Sequence, residues 1–216
     1  MIILEQVSKQ YGGTVQALQD VSLHVGRGEC KFVIGSTGAG KTTLVKLLCA
    51  LERPTRGLVS VLDHDLSSAD TGRIQAIRRH MGVIFQDYRL IEDWSAYDNL
   101  AVVLEVLGKP PFFVRQRVWK VLKWVGLQHK VYQKAKHLSG GEKKRLALGR
   151  AIIHEPDILL ADEPLGSLDE AMAAYVMNQI VQLSRKGMAV LITTHTYHPL
   201  MQSGAVVNLM KGSLGE

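Results

Sequence analysis

The chain alternates short, unbroken apolar runs with stretches of helical periodicity. "KFVIG" (31–35) is an apolar run closed by glycine, and "LVSVL" (58–62), "GVIF" (82–85), "DILLAD" (157–162) and "AVLITTH" (189–195) repeat the form. Runs of this length without polar alternation fit strands of a parallel sheet covered on both faces. "KTTLVKLLCALE" (41–52) puts Leu44, Leu47, Leu48 and Leu51 on one helical face, "RPTRG" (53–57) reads as a turn, and a further helix is expected around 169–186. From about 95 to 153 the strand signal stops and helical spacing takes over. In "VRQRVWKVLKWVG" (114–126), Val114, Val118, Val121, Leu122 and Val125 form a stripe, Gly126 supplies a stop, and Trp119 and Trp124 are expected to pack. The pattern predicts an α/β fold, a mainly parallel core sheet interrupted by a helical insertion. With no repeat, low-complexity tract or long linker, residues 1–216 read as one domain. Its core spans 1–86 and 156–216, with a helical subdomain at about 87–155.

Composition adds little to this: 46% hydrophobic and 21% charged residues are ordinary for a folded globular chain. No apolar run approaches the ~18 residues needed to cross a bilayer, and "MIILEQVSKQ" lacks the form of a signal peptide. A cytoplasmic protein reaching a membrane only through a partner is expected. Cys30 and Cys49 sit in apolar surroundings and read as reduced core residues. The net charge of +6 is uneven. Lys109 to Arg150 hold twelve basic residues and one acid, Glu142, leaving fourteen basic and nineteen acidic residues elsewhere. This segment reads as a solvated helical face or as one meeting anionic lipid headgroups or an acidic partner, with Lys120, Lys123, Lys130 and Lys134 as the lipid candidates. Nucleic acid is not expected, because no aromatic residues interleave with the charge as a binding motif requires.

The chemistry begins at "GSTGAGKT" (35–42), which fits G-x-x-x-x-G-K-[ST] between an apolar strand and a helix. Gly35, Ser36, Thr37, Gly38, Ala39, Gly40, Lys41, Thr42 and the adjoining Thr43 would cradle a phosphate chain with backbone N–H groups and a helix N-terminus. Lys41 is expected to reach the β- and γ-phosphates and Thr42 to ligate Mg²⁺. "ILLADEP" (158–164) supplies two acids at a strand end: Asp162 for the Mg²⁺ shell and Glu163 as the general base toward the attacking water. A second glycine-rich helix start, "LSGGEKKR" (138–145), lies about a hundred residues further on.

These three segments, in this order, resemble the ATP-binding cassette (ABC) ATPases over essentially the whole chain. The resemblance implies ATP as substrate, Mg²⁺ as cofactor, and an N-terminal antiparallel β portion beside the core sheet. It also implies a head-to-tail homodimer, in which Ser139, Gly140, Gly141 and Glu142 of one subunit close on the ATP held by the other. Gln86 matches the glutamine that contacts metal and water, and His195 the switch histidine near the γ-phosphate. Asp169 in "GSLD" matches the loop that crosses the dimer interface, and Tyr11 the aromatic that stacks on adenine. Four positions depart from the family pattern. Leu165 replaces a threonine, Thr196 an aspartate, and Lys143 and Lys144 a common pair of glutamines. Gly149 sits inside the signature helix, where an exposed glycine costs about 1 kcal/mol against alanine.

Within the family, "LERPTRG" (51–57) and "GVIFQDYRLIEDWSAYDNL" (82–100) resemble the cell-division members, whose ATPase drives a transmembrane partner that controls cell-wall hydrolysis. The partner's cytoplasmic helix is expected in the groove between core and helical subdomain, near Gln86 to Tyr97, with Asp87, Tyr88, Arg89, Leu90 and Trp94 as the candidate surface. Lipoprotein-release and macrolide-export ATPases carry similar strings and stand as the alternative. "YQKAKH" (132–137) argues against the fused exporters, and Glu163 and His195 argue against a non-hydrolysing scaffold.

Overall fold

The computed structural model describes residues 1–166 and 168–215; Ser167 of the "GSLD" segment and Glu216 at the far end of the expected core lie outside them. Strands β1 (Ile2–Tyr11) and β2 (Val15–Val25) form an antiparallel hairpin, extended by β4 (Arg56–Val61) and β5 (His64–Asp65) in the order β2-β1-β4-β5. The second sheet contains β3 (Cys30–Ile34), β6 (Met81–Ile84), β7 (Ile158–Asp162), β8 (Ala189–Thr194), β9 (Ala205–Met210) and β10 (Ser213–Gly215). Its order is β10-β9-β3-β8-β7-β6, parallel except for β10.

The apolar runs follow from what covers them. Helix α1 (Lys41–Leu48) lies between the two sheets, where Leu44, Val45, Leu47 and Leu48 share one core with Leu4 and Val59 on one side and Leu160 and Leu191 on the other. The alternate residues Leu159, Ala161, Val190 and Ile192 face the opposite way. They pack on α6 (Glu170–Arg185) through Val176, Met177 and Ile180, and on α5 (Gly140–Ile152) through Ala147 and Leu148. Every residue of β7 is therefore buried, each large aliphatic side chain contributing roughly 1.5–3 kcal/mol. Helix α2 (Thr71–Arg78) precedes β6.

A third core belongs to the helical region. Leu100 and Leu104 of α3 (Ala96–Val106), Val118, Val121 and Leu122 of α4 (Pro111–Trp124), and Leu146 of α5 form it. Gly149 is buried there, not exposed: a Cβ would stand 3.1 Å from Val121 Cγ1 and 3.4 Å from Val125 Cγ1. The glycine lets α4 approach α5 closely, so close packing offsets its helix cost.

Two sequence expectations change, and the cysteine reading stands. Helix α1 ends at Leu48 because Ala50 turns to φ 52°, and Leu51 leaves the apolar face with 44% exposure. Trp119 lies on the exposed side of α4, while Trp124 packs. Cys30 and Cys49 are free and buried, and burial pushes both thiols up to about 12.

Candidate functional site

The loop between β3 and α1 crosses the C-terminal edge of the parallel sheet. Gly40 caps α1 at φ 105°, and a Cβ there would collide with the Ala17 carbonyl oxygen, so the position takes only glycine. Lys41, 7% exposed, donates to the carbonyls of Gly35 (2.8 Å) and Ser36 (3.1 Å). Its ammonium lies 3.4 Å from Glu163 Oε1.

Strand β7 delivers the two acids to the same place. Asp162 is buried and doubly satisfied: the Thr42 hydroxyl donates to Oδ2 (2.8 Å) and the Thr193 hydroxyl to Oδ1 (2.6 Å). Glu163 follows at φ 52°, a region that non-glycine residues rarely occupy, held when the surroundings over-determine it. Those surroundings are the Thr194 hydroxyl, donating to Oε2 (3.1 Å), and His195, whose Nδ1 stands 2.8 Å from Oε1. Lys41, Thr42, Gln86, Asp162, Glu163 and His195 line one cavity of about 290 Å³, together with Thr37, Gly38, Gly40 and Thr43.

Other expected residues lie away from the cavity. Ser139 and Gly140 are exposed at the start of α5, closed by a capping box in which Ser139 and Glu142 satisfy each other's backbone N–H. A Lys130 ammonium 2.7 Å from Glu142 holds that carboxyl below its ordinary range. Asp169 caps α6 by accepting from the Met172 N–H. Tyr11 does not line the cavity, although its cross-strand neighbour Val15 does; the Lys9 ammonium sits 4.8 Å over the Tyr11 ring. Ala39 is buried beneath the loop. Sequence reasoning passed over Thr193 and Thr194, which hold both acids; two polar residues ending the apolar run "AVLITT" were the available signal.

Residues 18–166 match the family model described as "ABC transporter". The chain belongs to that family. It is 42% identical to the cell division ATP-binding protein FtsE of Escherichia coli K12, over 90% of this chain and 88% of that one. It is 36% identical to FtsE of Bacillus subtilis, over 98% and 90%. The dimeric bacterial ABC transporter cassette MJ0796 superposes with a TM-score of 0.94 at 30% identity, over 100% of this chain and 97% of that chain; the same cassette is known bound to ADP and Pi. This cassette is thus an FtsE-like ATPase subunit that binds and hydrolyses ATP.

Two further features of the cassette bear on its partners. Among the described residues no helix is long and apolar enough to cross a membrane. A mostly apolar groove of about 550 Å³ runs between the core and the helical region, lined by Arg78, Met81, Val83, Val102, Val103, Val106 and His154. Asp87, Tyr88, Arg89, Leu90 and Trp94 do not line it. Arg150 takes the Tyr88 and Arg89 carbonyls, Arg89 stacks on Phe85 at 3.7 Å and Leu90 packs into the core. Of the lysines considered for headgroups, Lys130 is committed to Glu142; Lys120, Lys123 and Lys134 carry no ion pair among the described residues.

Proposed function

We propose that two copies of this cassette close head to tail on two ATP molecules and drive an FtsX-like transmembrane protein that controls cell-wall hydrolysis in division. The observation that carries the dimer is the division of phosphate-binding groups. Lys41, Glu163 and His195 share one cavity, whereas the helix start at Ser139 and Gly140 stands exposed outside it. An exposed, capped helix N-terminus offers its N–H groups and dipole to another subunit's γ-phosphate, with Gly141, Glu142 and Asp169 flanking the contact.

In this reading the loop N–H groups of residues 35–43 cradle the phosphates, and Tyr11 stacks on the adenine. Lys41 leaves the Gly35 and Ser36 carbonyls for the β- and γ-phosphate oxygens. Glu163 accepts a proton from water as its oxygen attacks the γ-phosphorus; the bond to the β–γ bridging oxygen breaks, releasing ADP and phosphate. His195 orients Glu163 and steadies the γ-phosphate. The Thr42 hydroxyl and Asp162 carboxylate, 2.8 Å apart and backed by Thr193, are hard oxygen donors that fit Mg²⁺, with Gln86 beside them. When bound, Mg²⁺ neutralises charge developing on the phosphate oxygens.

The partner's cytoplasmic helix would dock in the groove at Val83, Val103 and Val106. The cassette would thereby be held at the cytoplasmic face of the inner membrane, with Lys120, Lys123 and Lys134 toward anionic headgroups. The test is membrane co-purification with the Glu163→Gln variant as bait, in ATP and Mg²⁺, with proteins identified by mass spectrometry. A four-span membrane protein with a large external domain is expected. A lipoprotein-release or export permease would replace the division role with transport, and recovery of no membrane protein would overturn the reading.

A further inference from the structure

We propose that Lys144 is a positioning residue that ties the start of the signature helix to Glu163 of the same subunit, so that contacts made by one subunit's signature reach its own hydrolytic centre. The proposal rests on the head-to-tail reading above. Lys144 lies on α5, five residues after its N-cap Ser139, and is only 6% exposed. Lysine is almost never buried this deeply without compensating contacts. Three groups surround the ammonium. The Tyr88 ring, two residues beyond Gln86, has its centroid 5.8 Å away. A Cβ on Gly166 would stand 3.4 Å from Nζ, so the chain following Glu163 passes directly beside it. Burial pushes the Lys144 pKa down, and the Glu163 carboxylate, beyond ion-pair distance, acts in the opposite direction.

A second contact joins the same two segments. A Cβ on Gly141 would meet Leu168 Cδ2 at 3.2 Å, so Leu168 presses on the first turn of α5. The helix start therefore packs against the chain after Glu163 at two points, Leu168 on Gly141 and the Lys144 ammonium beside Gly166. A rigid helix moved at Ser139 carries Lys144 with it, since both lie within its first turn and a half. That displacement changes the charge facing Glu163, whose Oε1 is already shared by Lys41 and His195. A glutamine at this position, as is common in the family, supplies no such charge.

The test uses the full chain with Mg²⁺ and three forms: wild type, Lys144→Gln and Lys144→Arg. Steady-state hydrolysis is followed against ATP concentration, and binding is read separately with a fluorescent ATP analogue. The wild type is expected to be cooperative, with a Hill coefficient between 1 and about 2, the number of sites. Lys144→Gln should bring the coefficient to about 1 and change kcat by roughly 2- to 30-fold, with binding unchanged. Lys144→Arg should restore both. Cooperativity that survives in Lys144→Gln, or is absent from the wild type, would overturn the proposal. So would a change in binding matching the change in kcat, the mark of a merely structural role. ATP-driven dimerisation of Glu163→Gln and of the Glu163→Gln/Lys144→Gln double variant, measured by light scattering, separates the two readings. If neither dimerises, the head-to-tail reading fails; if both do while Lys144→Gln remains cooperative, only the Lys144 relay fails.

Discussion

Glu163→Gln is expected to slow hydrolysis and tighten ATP binding at the same time. Lys41 and Glu163 stand 3.4 Å apart, with side chains 7% and 10% exposed. At an effective dielectric of 20 their gross attraction is about 5 kcal/mol. Desolvation of both ions offsets most of it. About 1.5 kcal/mol remains, the low end for a charged hydrogen bond, because 3.4 Å is long. ATP has to draw Lys41 from this carboxylate. Glutamine removes the competing charge but keeps the shape, so affinity should rise roughly tenfold. Glutamine cannot take the proton from water, so kcat should fall about 10²- to 10⁴-fold. A fluorescent ATP analogue titrated into each form gives the first quantity, and phosphate release under saturating ATP gives the second. Weaker binding in Glu163→Gln, or a kcat within about threefold of wild type, would refute the reasoning from the Lys41–Glu163 pair.

Asp162→Asn keeps an acceptor for one of the Thr42 and Thr193 hydroxyls and offers the other an N–H donor that its oxygen can accept, so the fold should survive while the Mg²⁺ concentration for half-maximal hydrolysis rises at least about tenfold; chelating the metal should stop wild-type turnover. Gly149→Leu forces side-chain atoms against Val121, Val125 and Leu100 and should cost about 1–3 kcal/mol in urea unfolding, with ATP affinity unchanged. His154 is held below its ordinary 6.5 by burial, outweighing its bond to the Met81 carbonyl. Its contribution to stability is therefore complete above pH 6.5 and is lost as pH falls through the lowered value; His154→Gln should flatten that part of the unfolding-versus-pH curve. Changing Lys120, Lys123 and Lys134 together to glutamate should abolish sedimentation with anionic vesicles, and undiminished sedimentation would remove the headgroup assignment.

The parallel sheet was legible because helices cover both its faces: "ILLAD" and "AVLITT" show no polar alternation, as two-sided burial requires. The antiparallel sheet was not legible from periodicity. β1 slips register against β2 between Leu4 and Val7 and again before Lys9 and Gln10, which scrambles its inside–outside pattern; only the family resemblance implied it. Leu51 fitted the helical spacing of α1, but spacing carries no record of the left-handed turn at Ala50. The phosphate loop and both strand-end acids were readable as local motifs. Thr193 and Thr194 were not, because their part in the site depends on β8 lying beside β7, a pairing between residues about thirty apart in sequence. The lining of the groove was not legible for a similar reason: α2, α3 and the end of α5 converge on it from separate parts of the chain.

Glu163 is where these separate parts meet. Its backbone sits in a left-handed conformation, and its carboxylate is approached from three directions. Lys41 comes from the phosphate loop, His195 from the end of β8, and Lys144 from the signature helix. Each belongs to a segment with a different task in the proposed dimer. Lys41 answers to the phosphates in its own site, His195 stands 53% exposed at the cavity rim, and Lys144 rides on the helix that meets the other site. A carboxylate shared by Lys41 and His195 cannot change its bonding to one without altering its competition for the other, and the charge of Lys144 bears on both. In this arrangement the base is free to accept a proton from water only after Lys41 has moved to phosphate, and in the proposed dimer Lys144 would make the partner's nucleotide part of the same condition. In the proposed dimer, hydrolysis would then be tied to a fully closed, doubly occupied state, which a subunit that moves a membrane partner would require if it is not to spend ATP without moving it.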